Sequence, residues 1–216
     1  MTRRVAAFDF DGTVSKRDTL VPFLARVAGP SKFAAVAAQL GLRGARGTVD
    51  VRNRDDVKAH IIELVLAGRD ADEIDALGAT YAAELVATKL RPFVVQRVRT
   101  HRAQGFETVF VSASMVQYLR PVARALGVDH VIAVETEAVD GRLTGAMVGP
   151  NVRADEKVTR LREWLEATGD PAPELWSYGN TSGDHALLRA ADHAFWLGKP
   201  SRLPEGCTVL HPDTPL

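Results

Sequence analysis

The chain has 216 residues, 46% of them hydrophobic and 25% charged, with 27 Lys and Arg against 27 Asp and Glu for a formal net charge of zero. A chain of this length and ordinary composition buries roughly 70% of its extended-chain surface, so it needs no staples. Zero net charge excludes a generally basic nucleic-acid binder, and the lone Cys207 excludes an internal disulfide framework.

The amino-terminal MTRRVAAFDFDG meets aspartate before a signal-peptide-like apolar run can build up. Nowhere does the chain reach the ~18 consecutive apolar residues of a spanning helix. These features predict a cytoplasmic protein with no membrane partner. Val5 to Phe10 then reads as a short buried strand stopping at Asp11-Gly12-Thr13. From 17 to 89 the chain is Ala-rich and helical, with helices predicted at Thr19 to Val27, Lys32 to Leu40, Arg54 to Leu66 and Ala71 to Ala87. An Arg- and Gly-rich connection, GLRGARGTVDVRNR, separates the second from the third.

Phe93, Val94, Arg97, Val98 and His101 recur at helical spacing, closed by Gly105, and Thr108 to Val111 is the second strand. A stripe of Met115, Leu119, Val122 and Leu126 predicts a helix ending at Gly127, with Pro121 expected to kink or interrupt it. His130 to Val134 is a third strand, and Glu135 to Val139 with Arg142 to Val148 form a hairpin about Asp140-Gly141. Asp155 and Glu156 open a helix with a Val158, Leu161, Leu165 face, stopped by Gly169 and Pro171. Leu175 to Tyr178 and Ala194 to Leu197 complete the strands. This alternation predicts an α/β fold with a mostly parallel sheet, and a helical lobe inserted over its carboxyl edge.

Chemistry-bearing residues gather at the strand ends. Asp9 and Asp11, two apart in a strand, project together. Two such carboxylates repel unless a cation or a shared proton intervenes, and a hard divalent ion such as Mg2+ is the natural partner; a solvated Asp turn is the alternative. Ser112 ends the second strand, where its hydroxyl and the amides of Ala113 and Ser114 can donate to an anionic oxygen, although Ser114 alone also reads as a helix cap. Lys157 lies in a first helical turn, where a cation opposes the dipole. GNTSGD, from Gly179 to Asp184, follows another strand. Four polar groups at four strand ends favour a site over four separate loops.

The ordered set DFDGT, VSAS, Lys157 and GNTSGD resembles the four motifs of the haloacid dehalogenase-like (HAD) superfamily. TVSKRDTLVPFL, DGRLTG and GPNVRADEKVTRLREW resemble its phosphoserine-phosphatase-like subclass IB. The resemblance implies a Rossmann-like core of residues 1–16 and 90–216, with a type I helical cap of residues 17–89. It further implies phosphoryl transfer through an aspartyl-phosphate: Asp9 as nucleophile, Asp11 as general acid and base, and Ser112, Ala113 and Lys157 on the phosphoryl oxygens. Mg2+ is then held by Asp9, the Asp11 carbonyl, Asn180 and Asp184. Asn180 departs from the aspartate of many members, leaving Asp184 as the one carboxylate of that motif.

Asp18 stands where phosphoserine phosphatases carry a glutamate for the substrate amine, and it reads equally as the cap of the first cap helix. Arg43, Arg46, Arg52 and Arg54 face either an anionic substrate or solvent. The expected substrate is a small phosphomonoester, phosphoserine or another amine-bearing phosphate such as histidinol phosphate. The alternatives are a non-hydrolytic metal- or phosphate-binding protein of the same fold and, more weakly, a dehalogenase. Oligomeric state is not legible.

Overall fold

The computed structural model describes residues 3–169 and 172–215; Pro171, expected to stop a helix, lies outside them. The first strand, β1 (Arg4–Phe8), is apolar on both faces, with Val5 to Phe8 wholly buried, as a central parallel strand must be. It pairs with β2 (Glu107–Met115) on one side and β6 (Glu174–Gly179) on the other, so that Phe8 lies level with both Phe110 and Tyr178. With β3 (His130–Val134), β7 (His193–Trp196) and β8 (Thr208–Val209), the six strands run parallel in the order β3-β2-β1-β6-β7-β8. The chain adds β2 and β3 on one side of β1, then crosses to add β6 to β8 on the other. That reversal leaves a crevice beyond the carboxyl ends of β1 and β6, the usual ligand position in open α/β sheets.

Four helices follow β1: α1 (Leu20–Ala28), α2 (Pro30–Ala45), α3 (Arg54–Leu66) and α4 (Ala71–Thr88). Local chemistry explains where two of them start. Asn53 accepts from the Asp55 amide to cap α3, and Asp70 accepts from the Glu73 amide to cap α4. The outgoing and returning connections to the sheet run side by side: Lys16 N donates to Lys89 O at 2.9 Å and Arg91 N to Val14 O at 2.8 Å.

The chain continues through α5 (Pro92–Ala103), α6 (Val116–Leu126), α7 (Asp155–Ala167) and the short α8 (His185–Arg189). α6 runs through Pro121 rather than breaking there. The Gln117 carbonyl that Pro121 leaves without its usual helical donor faces Gly78 of α4, where a Cβ would collide with it. Gly78 thus allows α4 to pack closely on α6 at the proline. The hairpin of β4 (Thr136–Val139) and β5 (Arg142–Met147) turns at Asp140 and Gly141, both at positive φ. It then docks on the α3–α4 turn through Leu143 N to Arg69 O and Gly68 N to Leu143 O, tying the helical lobe to the sheet domain.

Beneath the sheet edge His101 is fully buried, its Nε2 2.6 Å from the Tyr178 hydroxyl and its Nδ1 without a partner. Burial, with Arg97 and Arg4 assisting, pushes its pKa from 6.5 down to about 3, so the folded protein excludes a proton that the unfolded chain binds. Stability from this group is complete above pH 6.5 and is lost as the pH falls towards about 3. His101→Phe is expected to flatten the acid limb of the stability curve by up to about 1.4 kcal/mol per pH unit in that window, as read by urea unfolding. An acid limb as steep as that of the wild type would overturn the assignment.

Candidate active site

The turn after β1 brings Asp9 and Asp11 into the crevice. Gly12, at φ 82°, lets the chain pack against Asn180, whose amide group would overlap any Cβ there. Asp9 is buried; its Oδ1 accepts from Lys157 Nζ at 2.6 Å and its Oδ2 from the Thr13 hydroxyl at 2.9 Å. The same ammonium donates to Asp184 Oδ1 at 2.6 Å, and Asp184 Oδ2 accepts from the amides of Asn180 and Thr181 and from the Thr181 hydroxyl. One buried cation thus lies between two buried carboxylates.

Lys157 is presented by a strained turn. Ala154, just before α7, adopts φ 52°, pinned by its amide's bond to Gly183 O. A non-glycine residue at positive φ costs of order 1–3 kcal/mol and persists only where surrounding contacts over-determine it. Here it joins the α7 start to the loop that carries Asp184.

Asp11 has different surroundings. Its Oδ1 accepts from Thr19 N at 2.9 Å and from the Thr19 hydroxyl at 2.5 Å, and its Oδ2 accepts from the Ser114 hydroxyl. Ser114 therefore does not cap α6, correcting the local expectation for that residue; α6 begins at Val116 with no side-chain cap. Ser112 is buried, its Oγ accepting from the Ser114 amide, and the Ala113 carbonyl accepts from Lys58 of α3.

Burial dominates the electrostatics of both acids. It pushes the Asp9 carboxyl up to about 7, with Asp184 adding to the shift and Lys157 opposing it. Asp11 rises to about 6, again mainly through burial, against its hydrogen bonds from Ser114 and Thr19. Burial alone would lower Lys157, but Asp9 and Asp184 outweigh it and hold the ammonium above its ordinary range. Asp184 is likewise held low by Lys157 and the Thr181 and Asn180 amides against the effect of burial.

A cleft of about 490 Å³ opens between this edge and the helices, lined by Asp11, Ala113, Asn151 and Arg153 on one side and by Leu20, Val21, Leu24, Arg54, Lys58 and Ile61 among others on the helical side. Asn151 bridges it, donating to Asp55 Oδ1 at 2.6 Å and accepting from Lys58. Asp18 stands at the exposed rim; its Oδ2 accepts from Val21 N at 3.1 Å, so the capping role is present, and its side chain also lines the cleft. Arg54 reaches the cleft, whereas Arg43 pairs with Glu63 at 3.1 Å. Thr13, Thr19, Lys58 and Asn151 join the site through contacts that no local sequence pattern marks. Asn151 lies within the quoted GPNVRADEK stretch, but nothing local marks it.

Among the described residues no three His, Cys, Asp or Glu side chains form a ready metal cage. The Asn180 Oδ1, however, is buried without a hydrogen-bond partner. A buried acceptor left unpaired is costly and calls for a donor or a cation.

The profile of haloacid dehalogenase-like hydrolases matches residues 6–189. Protein CicA of Caulobacter vibrioides is 36% identical over 202 residues, covering 91% of this chain and 88% of CicA. Phosphoserine phosphatase SerB2 of Mycobacterium tuberculosis is 30% identical over 190 residues, 88% of this chain but 43% of SerB2. A solved protein of unknown function from Bordetella pertussis Tohama I superposes with a TM-score of 0.76 at 26% identity, over 93% of each chain. The chain belongs to the haloacid dehalogenase-like hydrolases. Within them it is a phosphatase of the phosphoserine-phosphatase-like kind, built on their Rossmann-like α/β core.

Proposed function

We propose that the protein hydrolyses a small-molecule phosphomonoester in a Mg2+-dependent reaction through an aspartyl-phosphate on Asp9, with residues 17–89 acting as a cap over the core of 1–16 and 90–216. The observation that carries this reading is the convergence of Asp9, Asp11, Lys157 and Asp184 at one sheet edge, with the two leading acids held in different hydrogen-bond environments. Asp9, whose oxygens accept from Lys157 and Thr13, attacks phosphorus in line while the bond to the alcohol oxygen breaks. Asp11, raised to about 6 and therefore able to carry a proton, donates it to the departing oxygen. It then takes a proton from the water that cleaves the aspartyl-phosphate, releasing phosphate and restoring Asp9. Ser112, the Ala113 amide and Lys157 hold the phosphoryl oxygens, the electrostatic positioning on which such transfers depend.

The oxygen set suits a hard cation. Asp9, Asp184, the Asp11 carbonyl and the unpartnered Asn180 Oδ1 would hold Mg2+. Bound there, the ion would neutralise phosphoryl charge and favour the ionised form of Asp9. Asp18 at the cleft rim supports an amine-bearing ester, phosphoserine first. The test is a panel of small phosphate esters assayed with Mg2+ and with chelator. Equal release in both conditions would overturn the mechanism. Metal binding without release from any ester would favour the non-hydrolytic alternative.

Asn180 makes a separate prediction. Asn180→Asp adds a carboxylate beside Asp184, so the metal-free protein is expected to melt lower while the Mg2+-induced rise in Tm grows, reflecting roughly tenfold tighter binding. Thermal shifts across a Mg2+ titration measure both effects. A rise no larger than that of the wild type would remove Asn180 from the metal site.

A further inference from the structure

The second helix of the cap departs from the usual pattern of an exposed helix. Between Lys32 and Arg43 it carries no charged residue. Of its 16 residues only Val36 is buried; Ala34, Ala35, Ala37, Ala38 and Gly41 are exposed, and Leu42 is 58% exposed. A helix apolar on every side normally sits inside a core or against lipid. α1 has a similar composition but uses Phe23, Leu24 and Val27 to fill the core. α2 contributes Val36, with Phe33 packed beside it, against α1 and α3, and leaves most of the rest of its surface uncovered among the described residues.

Charge on this stretch is one-sided. From Thr19 to Val49 there is no Asp or Glu, while Arg26, Lys32, Arg43 and Arg46 fall within it and Arg52 and Arg54 follow. Arg46 and Arg52 are exposed, and neither side chain has a hydrogen-bond or ion-pair partner among the described residues. Arg26 pairs with Glu84 and Arg43 with Glu63, so Lys32, Arg46 and Arg52 are left without an ion-pair partner among the described residues, a local excess complementary to an anionic surface. Together α1 and α2 are apolar enough for a span, yet they meet at a bend of 114°, and no single helix among the described residues is long and apolar enough to cross a membrane. Such a pair suits lying along an interface. The face is continuous with the cleft, because Val21 and Val51, 49% and 57% exposed, also line its mouth beside Arg54.

We propose that α2 and the arginine-bearing loop after it dock on an anionic lipid bilayer, and that the ester taken by the site is an amphiphile presented there. Its phosphate reaches Asp9 and its apolar body lies along Leu20, Leu24 and Ile61. The substrate half of this inference rests on the phosphatase reading; the docking half does not.

Co-sedimentation of the full chain with vesicles tests docking without turnover. One set is phosphatidylcholine alone and the other is equal parts phosphatidylcholine and phosphatidylglycerol. The protein is expected to partition onto the anionic vesicles only, and added salt is expected to weaken this. Arg46→Gln with Arg52→Gln should lower partition about 25-fold, at about fivefold per arginine. Leu42→Asp should lower it further, and both variants should hydrolyse p-nitrophenyl phosphate as the wild type does. Absence of vesicle binding, equal binding to neutral vesicles, or binding indifferent to these substitutions would overturn the proposal. So would a dimer, seen by sedimentation equilibrium, that Leu42→Asp dissolves, because α2 would then be a protomer interface. Vesicle binding by a wild type that releases phosphate from no ester would retain docking and sink the phosphatase mechanism alone.

Discussion

Asp9→Asn is expected to lower kcat/KM on the order of 10⁴-fold or more, while the metal-free protein melts at or slightly above the wild-type temperature. The two effects have one origin. The Asp9 carboxylate is buried beside Asp184, and burial pushes its carboxyl up to about 7, so its ionised form is held at a cost in the folded state. Asparagine keeps an oxygen for the Thr13 hydroxyl and removes the repulsion with Asp184, while Lys157 retains Asp184 as its partner. An amide cannot form the acyl-phosphate, so turnover disappears although packing does not. Phosphate release measured beside a thermal melt in chelator separates the two. Activity within tenfold of the wild type would sink Asp9 as nucleophile, and loss accompanied by unfolding would make its role structural.

Lys157→Met is expected to act on stability as strongly as on chemistry. Lys157 is 2% exposed and its ammonium is 2.6 Å from both carboxylates. Removing one partner from a buried ionic group typically costs about 3–5 kcal/mol, because the remaining charges have neither water nor counter-charge. Here Asp9, already raised to about 7 with the ammonium in place, would rise further and take up a proton, leaving Asp184 as a buried charge without its counter-ion. Urea unfolding in chelator should register that loss, and adding Asp184→Asn in the same chain should recover part of it. Hydrolysis should fall on the order of 10²- to 10³-fold as the phosphoryl oxygens lose their fixed cation. A stability change below about 1 kcal/mol would show that this triad does not hold the strand ends together.

The sequence was most informative where physics is local. The strand His130–Val134 and the helix Arg54–Leu66 match the predicted spans: the first is a short apolar run, and the second opens at the Asn53 cap. Of the kink or interruption expected at Pro121, the interruption does not occur: α6 runs from Val116 to Leu126, and the Gln117 carbonyl faces a glycine on α4 that no local pattern places there. At the site, the closeness of Asp9 and Asp11 was legible from their spacing, but the shared strand face expected for them is not what brings them there: β1 ends at Phe8, and both acids stand in the turn that follows. The partners that distinguish them were not legible. Ser114 meets Asp11 across 103 residues, and Asn151 meets Asp55 across 96. Nothing in the spacing of either pair encodes the contact.

The sequence by itself determined the inventory: a parallel α/β sheet, two carboxylates at its first strand end, and a lysine and a second acidic turn arriving later in the chain. Only the tertiary structure decided what states those groups adopt. Burial raises both acids, one lysine bridges Asp9 to Asp184, and Thr19 with Ser114 gives Asp11 a separate environment. The zero net charge was likewise an average that only the fold resolves, into a cap stretch free of acids and a cleft where Asp11, Asp18 and Asp55 face Arg54, Lys58 and Arg153. The physical reason is the same in each case. Local order depends on neighbours along the chain, whereas desolvation and charge coupling depend on which distant groups the fold brings within a few ångströms.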